Sequence, residues 1–170
     1  SMLSPTYTNC LFYENQALGT TPNSWNGTSL GTSGGGAVLN VGFIQAVITN
    51  CTFANNTAQG NGGAFDCVKT SVTPNSFTLN NCILWGNTAA SGNQIYLEGI
   101  NFALSNTLLQ GGISAISSNA STTINNNGNI LSTNPLFVNA SAGNYSLQTG
   151  SPAINTGSNA LVPSGITNDI

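Results

Sequence analysis

Three segments of the chain align without a gap: TNCLFYENQA at 8–17, TNCTFANNTA at 49–58 and NNCILWGNTA at 80–89. In each, an Asn-Cys pair is followed by an apolar residue two places after the Cys and an Asn five places after it. The pairs are Asn9-Cys10, Asn50-Cys51 and Asn81-Cys82, the apolar residues Phe12, Phe53 and Leu84, and the later amides Asn15, Asn56 and Asn87. A fourth, degraded copy, FALSNTLLQGG at 102–112, matches FTLNNCILWGN at 77–87 at an offset of 25, with Thr107 in the place of Cys82. Successive copies stand 41, 31 and 25 residues apart. A repeat of this period is one structural unit that cannot bury its apolar side alone, so neighbouring units must stack.

A second motif accompanies the first. Gly35-Gly36-Ala37-Val38 follows the first copy, Gly62-Gly63-Ala64-Phe65 the second, and Gly92-Asn93-Gln94-Ile95 takes the equivalent place after the third. The extra length of the first unit falls in 18–34, rich in Gly, Ser, Thr, Pro and Asn, and reads as one long surface loop. Val47-Ile48, Cys51 to Phe53 and Ala64 to Val68 are brief β-prone runs separated by Asn or Gly, a punctuation that no helix tolerates. Units of three short strands predict an all-β parallel β-helix, a solenoid of about four coils over residues 1–133. Equivalent residues of neighbouring coils then stack about 4.8 Å apart. Asn suits the corners because it tolerates left-handed backbone, and stacked amides bond up the ladder. Asn15, Asn56 and Asn87 are expected to form one ladder, and Asn9, Asn50, Asn81 and Asn106 another.

Charge is nearly absent. Lys69 is the only cation against Glu14, Asp66, Glu98 and Asp169, so charged residues are 3% of the chain and its net charge is −3. An average soluble domain is roughly a quarter charged. One cation cannot form the basic cluster that a nucleic-acid partner requires. With no His and no CxxC pair among four Cys, neither a metal site nor a cofactor is expected. No apolar run approaches the roughly 20 residues of a membrane span. The 27 Asn and 20 Gly raise the question of disorder, but a hydrophobic content of 39% and the small net charge favour a packed core.

The N-C-x-F-x-x-N and Gly-Gly-Ala pairing resembles the repeats of polymorphic outer-membrane proteins and related bacterial right-handed β-helix proteins of the pectin-lyase-like class. The tail, NPLFVNASAGNYSLQTGSPAINTG at 134–157, resembles the end segment of choice-of-anchor Q domain proteins. The matching pieces are Pro135-Leu136-Phe137, Tyr145-Ser146-Leu147 and Gly150-Ser151-Pro152-Ala153-Ile154 with Gly157, and Gln94-Ile95-Tyr96 fits the same pattern. The resemblance covers roughly residues 7–157. It implies a right-handed helix in which 134–170 is a C-terminal capping segment of the same domain. It also implies export and display on a bacterial surface, with varied anchors and no shared activity. Ser1-Met2 reads as a cloning remnant, and the chain is expected to be part of a larger protein whose export signal lies upstream.

Cys10, Cys51 and Cys82 share one position and are expected to stack inside. Bridged and free arrangements compete; free thiols packed as small hydrophobes are preferred, because bridging directly stacked parallel residues needs awkward side-chain geometry. Cys67 lies on a different strand. Enzymes built on such helices use a Lys or Arg base, calcium held by clustered carboxylates, or two or three close carboxylates. Here Glu14, Asp66 and Glu98 are spread one per coil, and Asp66 has only Lys69 as a neighbour to pair with. No catalytic residue is assigned. Tyr13 and Trp85 occupy equivalent places beside inward Phe12 and Leu84, which makes them candidate surface contacts for a sugar or a protein; the favoured reading of the aromatics, Trp25 and Tyr96 among them, is that they cover the coil surface beneath the long loop. The sequons at Asn26, Asn55 and Asn144 follow from the Asn content.

These readings predict a non-catalytic extracellular or cell-surface segment, adhesin-like or a structural rod. Its partners are expected to be a glycan, a host or cell-surface protein, or further copies packed along or beside it. One alternative is a polysaccharide-binding or polysaccharide-degrading module. Another is an ice-binding face, for which Thr8 and Thr49 match but Asn80 breaks the row.

Overall fold

The computed structural model describes residues 4–19, 24–25, 28–29, 34–41, 45–69 and 75–167. Ser1, Met2, Asn26 and Asp169, and most of the 18–34 loop, lie outside the described residues. The chain visits three sheets in the same order, round after round. The first circuit holds β1 (Thr6–Thr8), β2 (Leu11–Tyr13) and β3 (Gln16–Ala17), then an antiparallel pair, β4 (Ser24–Trp25) and β5 (Thr28–Ser29), and then β6 (Val38–Val41). The second holds β7 (Gln45–Thr49), β8 (Thr52–Ala54), β9 (Thr57–Ala58) and β10 (Phe65–Val68). The third is β11 (Ser76–Asn80), β12 (Ile83–Trp85) and β13 (Ile95–Glu98), and the fourth is β14 (Asn101–Ser105), β15 (Leu108–Leu109) and β16 (Ser117–Ser118). A fifth begins with β17 (Thr123–Asn126).

The resulting sheets, β1-β7-β11-β14-β17, β2-β8-β12-β15 and β6-β10-β13-β16, pair in parallel throughout. The fold is therefore all-β with parallel sheets, consistent with a β-helix. It has one more rung than the repeat motif announces, because β17 carries neither the Cys nor the Phe of the earlier copies.

The corners explain the Asn content. Asn9, Asn50, Asn81, Asn106 and Asn129 all have φ between 47° and 54°, the left-handed region in which Asn is enriched. The second corner is equally regular, with Glu14, Asn55, Gly86 and Gly111 at positive φ. A third falls on Gly35, Gly62 and Gly92. At Gly62 (φ 63°) a Cβ would strike the Phe65 carbonyl oxygen, so this turn admits only glycine.

Each strand sends alternate residues inward, and the register stacks them in columns. Phe12, Phe53, Leu84 and Leu109 form one column, and Ala46, Phe77, Phe102 and Ile124 another. Phe12 lies flat on Phe53 with ring centroids 4.6 Å apart, and Phe53, Phe65 and Phe77 continue the contact at 4.4 and 5.0 Å. Burying each such ring contributes roughly 1.5–3 kcal/mol.

The tail does not extend any of the three sheets. Residues after 134 form an antiparallel pair, β18 (Phe137–Asn139) and β19 (Asn144–Leu147), and two short 3₁₀ turns. They lie along the flank of the stack as a strap, where an end cap is expected from the sequence. The reason is the hydrogen bonding: the strap takes its bonds from corner amides of successive circuits. The Asn55 amide donates to the Tyr145 hydroxyl at 3.0 Å, and the Asn81 amide donates to the Ser158 carbonyl at 3.0 Å. Asn106 and Asn129 both donate to the Thr156 carbonyl, at 3.0 and 2.8 Å.

Candidate functional site

Asn15, Asn56 and Asn87 stand one above another. The Asn56 Oδ1 accepts both the backbone and side-chain N–H of Asn15, at 3.0 and 2.8 Å, and the Asn87 Oδ1 accepts the same pair from Asn56, at 2.9 and 2.8 Å. The spare amide hydrogens go to the Phe12 and Phe53 carbonyls. Asn56 and Asn87 are buried, while Asn15, at the end of the column, is exposed. Beyond Asn87 the repeat supplies no Asn, and two glutamines that the sequence reading gave no place in the ladder, Gln94 and Gln110, carry the network on. Asn87 donates to Gln94 at 2.6 Å, Gln94 to Gln110 at 3.1 Å, and the Gly86 N–H closes on Gln110 at 2.7 Å. Gln110 sits two places before the position that matches Asn87, so spacing alone does not reveal it.

The other column behaves differently from the expected ladder. Asn81 donates to Asn50 at 3.0 Å, but Asn106 turns outward to hold the strap. Asn129, which no motif marked, does the same.

Among the described residues all four cysteines are free. Cys10, Cys51 and Cys82 each donate a thiol hydrogen to the carbonyl two residues earlier, at 3.1–3.3 Å. Burial pushes the Cys51 thiol up to about 12 and raises Cys67 and Cys82 well above the ordinary thiol value. Such thiols are poor nucleophiles and poor ligands. No group of three or more His, Cys, Asp or Glu among the described residues is placed to hold a metal ion.

Asp66 and Glu98 lie on neighbouring strands of the third sheet, opposite Tyr96 and Val68, while Glu14 is at the corner after β2. Glu14 and Glu98 are exposed, whereas Asp66 is fully buried on β10. The Asp66 Oδ2 accepts the Gly34 N–H at 3.1 Å and its Oδ1 has no partner. Burial lifts the carboxyl to about 6; the Gly34 N–H opposes the shift and the Glu98 charge adds to it. Lys69 points to solvent, and no ion pair joins it to Asp66.

Tyr13 and Trp85 lie in one outward row, on either side of Ala54. Trp85 is half-buried; Tyr13 is 45% exposed, and its ring packs 5.3 Å from Tyr145 of the strap. Trp25 lies in β4. On the outer face of the first sheet the rows read Thr6, Val47, Thr78, Ala103, Asn125 and Thr8, Thr49, Asn80, Ser105, so threonine is interrupted in both.

The concavity of interest lies between the second sheet and the strap. Its floor is the outward row Leu11, Thr52, Ile83 and Leu108. One wall is the Asn50, Asn81, Asn106 corner; the other is the strap, with Asn144, Tyr145, Leu147, Asn155 and Val162. The volume is about 1290 Å³, and among the described residues no Asp, Glu, Lys or Arg lines it, although Glu14 approaches the Tyr145 side chain of the wall. Leu11 is 36% exposed and Leu108 3%, so the groove is open at the first circuit and roofed at the fourth. No helix among the described residues is long and apolar enough to cross a membrane.

No protein-family model, curated protein or solved structure matches the chain.

Proposed function

We propose that the chain is a right-handed parallel β-helix acting as a non-catalytic scaffold, displayed outside the cell as part of a surface or secreted protein. The observation that carries this is the disposition of its acids. Hydrolysis needs two carboxylates facing one bond, and elimination needs a base beside an acidic carbon. Asp66 and Glu98 share one sheet face, but Asp66 is sealed under Gly34 and does not open to a bond beside exposed Glu98, and Glu14 lies at a different corner. What is assembled is the interior, where side chains pair rung upon rung and make a stiff body whose outer faces carry few charges. Such a body presents a surface for adhesion or for packing beside further copies. The likeness of the Asn-Cys repeats and the tail to exported bacterial proteins supports the location.

The test is an assay against a panel of pectate, alginate and neutral polysaccharides, with and without calcium, reading reducing ends and unsaturated products. The expected result is no turnover, together with resistance of the folded chain to proteolysis. Turnover abolished by Asp66→Asn or Glu98→Gln would overturn the reading.

A further inference from the structure

We propose that a cavity inside the first circuit binds a small neutral carboxamide, a flat apolar body carrying one amide group. This goes beyond the scaffold reading and does not depend on it. The cavity holds about 300 Å³ and is bounded by Tyr7 of β1, Phe12 of β2 and Val38 and Asn40 of β6, with Ile48 and Phe77 from the next two circuits. It stands at the lower end of the roughly 300–1,000 Å³ of small-molecule pockets. Among the described residues it shares no lining residue with the groove beneath the strap.

Asn40 selects the polar group of the ligand. β6 places Val38 and Asn40 in register with Phe65 and Cys67, and the same two columns continue to Ile95 and Leu97. Phe65, Cys67, Ile95 and Leu97 are buried and apolar, so Asn40 is the polar exception at the end of an apolar column. It is 2% exposed, yet neither its Oδ1 nor its Nδ2 makes a hydrogen bond of ordinary geometry. The Cys67 thiol approaches it across the register, but a thiol is a weak donor and a weak acceptor. A buried amide without partners is costly, and a ligand that satisfies both atoms recovers that cost. One acceptor beside one donor is matched by a second amide through two parallel hydrogen bonds.

Phe12 selects the body. It is the first ring of its column, lies parallel to Phe53 within 5° at 4.6 Å, and lines the cavity. An aromatic ring entering the cavity therefore meets Phe12 where a further circuit would stack its own side chain. Among the described residues no acid or base lines the cavity, so an ionic ligand would lose hydration with no opposite charge to meet it.

The experiment is calorimetric titration of the full chain with benzamide, with toluene and benzoate run in parallel. Benzamide should bind with a Kd below about 1 mM, and at least about tenfold more tightly than toluene, which lacks the amide, or benzoate, which carries a charge. Asn40→Leu keeps the shape of the side chain and removes its amide. It should weaken benzamide by about tenfold or more, leave toluene unchanged, and melt no lower than the parent in the absence of ligand. Thr52→Ala, in the groove beneath the strap, should leave benzamide binding unchanged. In the parent chain the Asn40 side-chain NH₂ resonances should move as benzamide is added, a readout that does not depend on any variant folding. The proposal is overturned by no heat with benzamide at millimolar concentration, by toluene or benzoate binding as tightly, by full benzamide affinity in Asn40→Leu, or by Asn40 resonances that stay fixed at saturation. Failure of benzamide to bind leaves the non-catalytic scaffold standing, and turnover of a polysaccharide leaves this site standing.

Discussion

Thr107 occupies the rung next to Cys82 and repeats its hydrogen bonding with oxygen in place of sulfur. Its Oγ1 donates to the Ser105 carbonyl at 2.9 Å, as the Cys82 thiol donates to the Asn80 carbonyl at 3.1 Å, and it accepts the Cys82 N–H at 3.5 Å. The position therefore selects a small side chain with a donor at γ, which explains how the fourth repeat dispenses with Cys. Cys82→Thr should be tolerated within about 1 kcal/mol. Cys82→Leu overfills the column and should cost about 1–3 kcal/mol. Urea midpoints of the two variants decide, and equal losses would refute the equivalence.

The thiols should differ in reactivity by depth. Cys10 is half-buried at the end of its column, while Cys51, Cys67 and Cys82 are sealed. A thiol held near 12, as Cys51 is, has almost no thiolate at pH 8. A disulfide-exchange reagent should modify Cys10 alone in the folded chain and all four after denaturation. A bridged pair found by mass spectrometry would contradict this.

Asn56→Ala removes an amide that bonds four groups on two neighbouring circuits. Buried donors and acceptors left without partners destabilise by roughly 1–3 kcal/mol, a fall of several degrees in Tm for a chain of this size. Asn15→Ala, at the exposed end, should lower Tm by less. Thermal melts compare the two, and the reverse order would place the ladder wrongly.

Asp66 predicts a stability that declines with rising pH. Its carboxyl is lifted to about 6 in the folded chain and titrates near 3.9 when unfolded. Between these values the folded state holds a proton that the unfolded state has lost, so stability is full below about pH 4 and falls as pH rises through 6. The loss amounts to at most about 3 kcal/mol. Asp66→Asn should flatten this dependence and raise Tm at neutral pH. Denaturant titrations from pH 4 to 8 measure it, and a wild-type stability flat across that window would discard the assignment.

The repeat told which residues share a column, because the Asn-Cys-x-Phe spacing is set by one turn of chain and every circuit must reproduce it. Asn56 above Asn87 and Phe53 above Leu84 were legible for that reason. Gln94 and Gln110 were not, since long side chains reach across positions that the alignment keeps apart. Asn129 was hidden because its circuit lacks the other marks of the motif. The direction of the tail was hidden as well. Its bonds to Asn81, Asn106 and Asn129 join residues 27–77 places apart, and no local pattern encodes such partners. The groove, which exists only because the tail turns back, was equally out of reach.

The strap changes how such a stack comes apart. A bare pile of circuits behaves as a one-dimensional array, in which each layer holds only its neighbours and an end layer frays at small cost. Here the segment after residue 134 touches Tyr13 and Asn55 near one end and Asn129 at the other. Shedding the first circuit therefore also loosens a lashing that grips the last, so partial loss of layers merges into a single all-or-none transition. The same geometry fixes an order of events during synthesis. The lashing emerges after the circuits it grips, and its anchoring amides come into line only once those layers have settled.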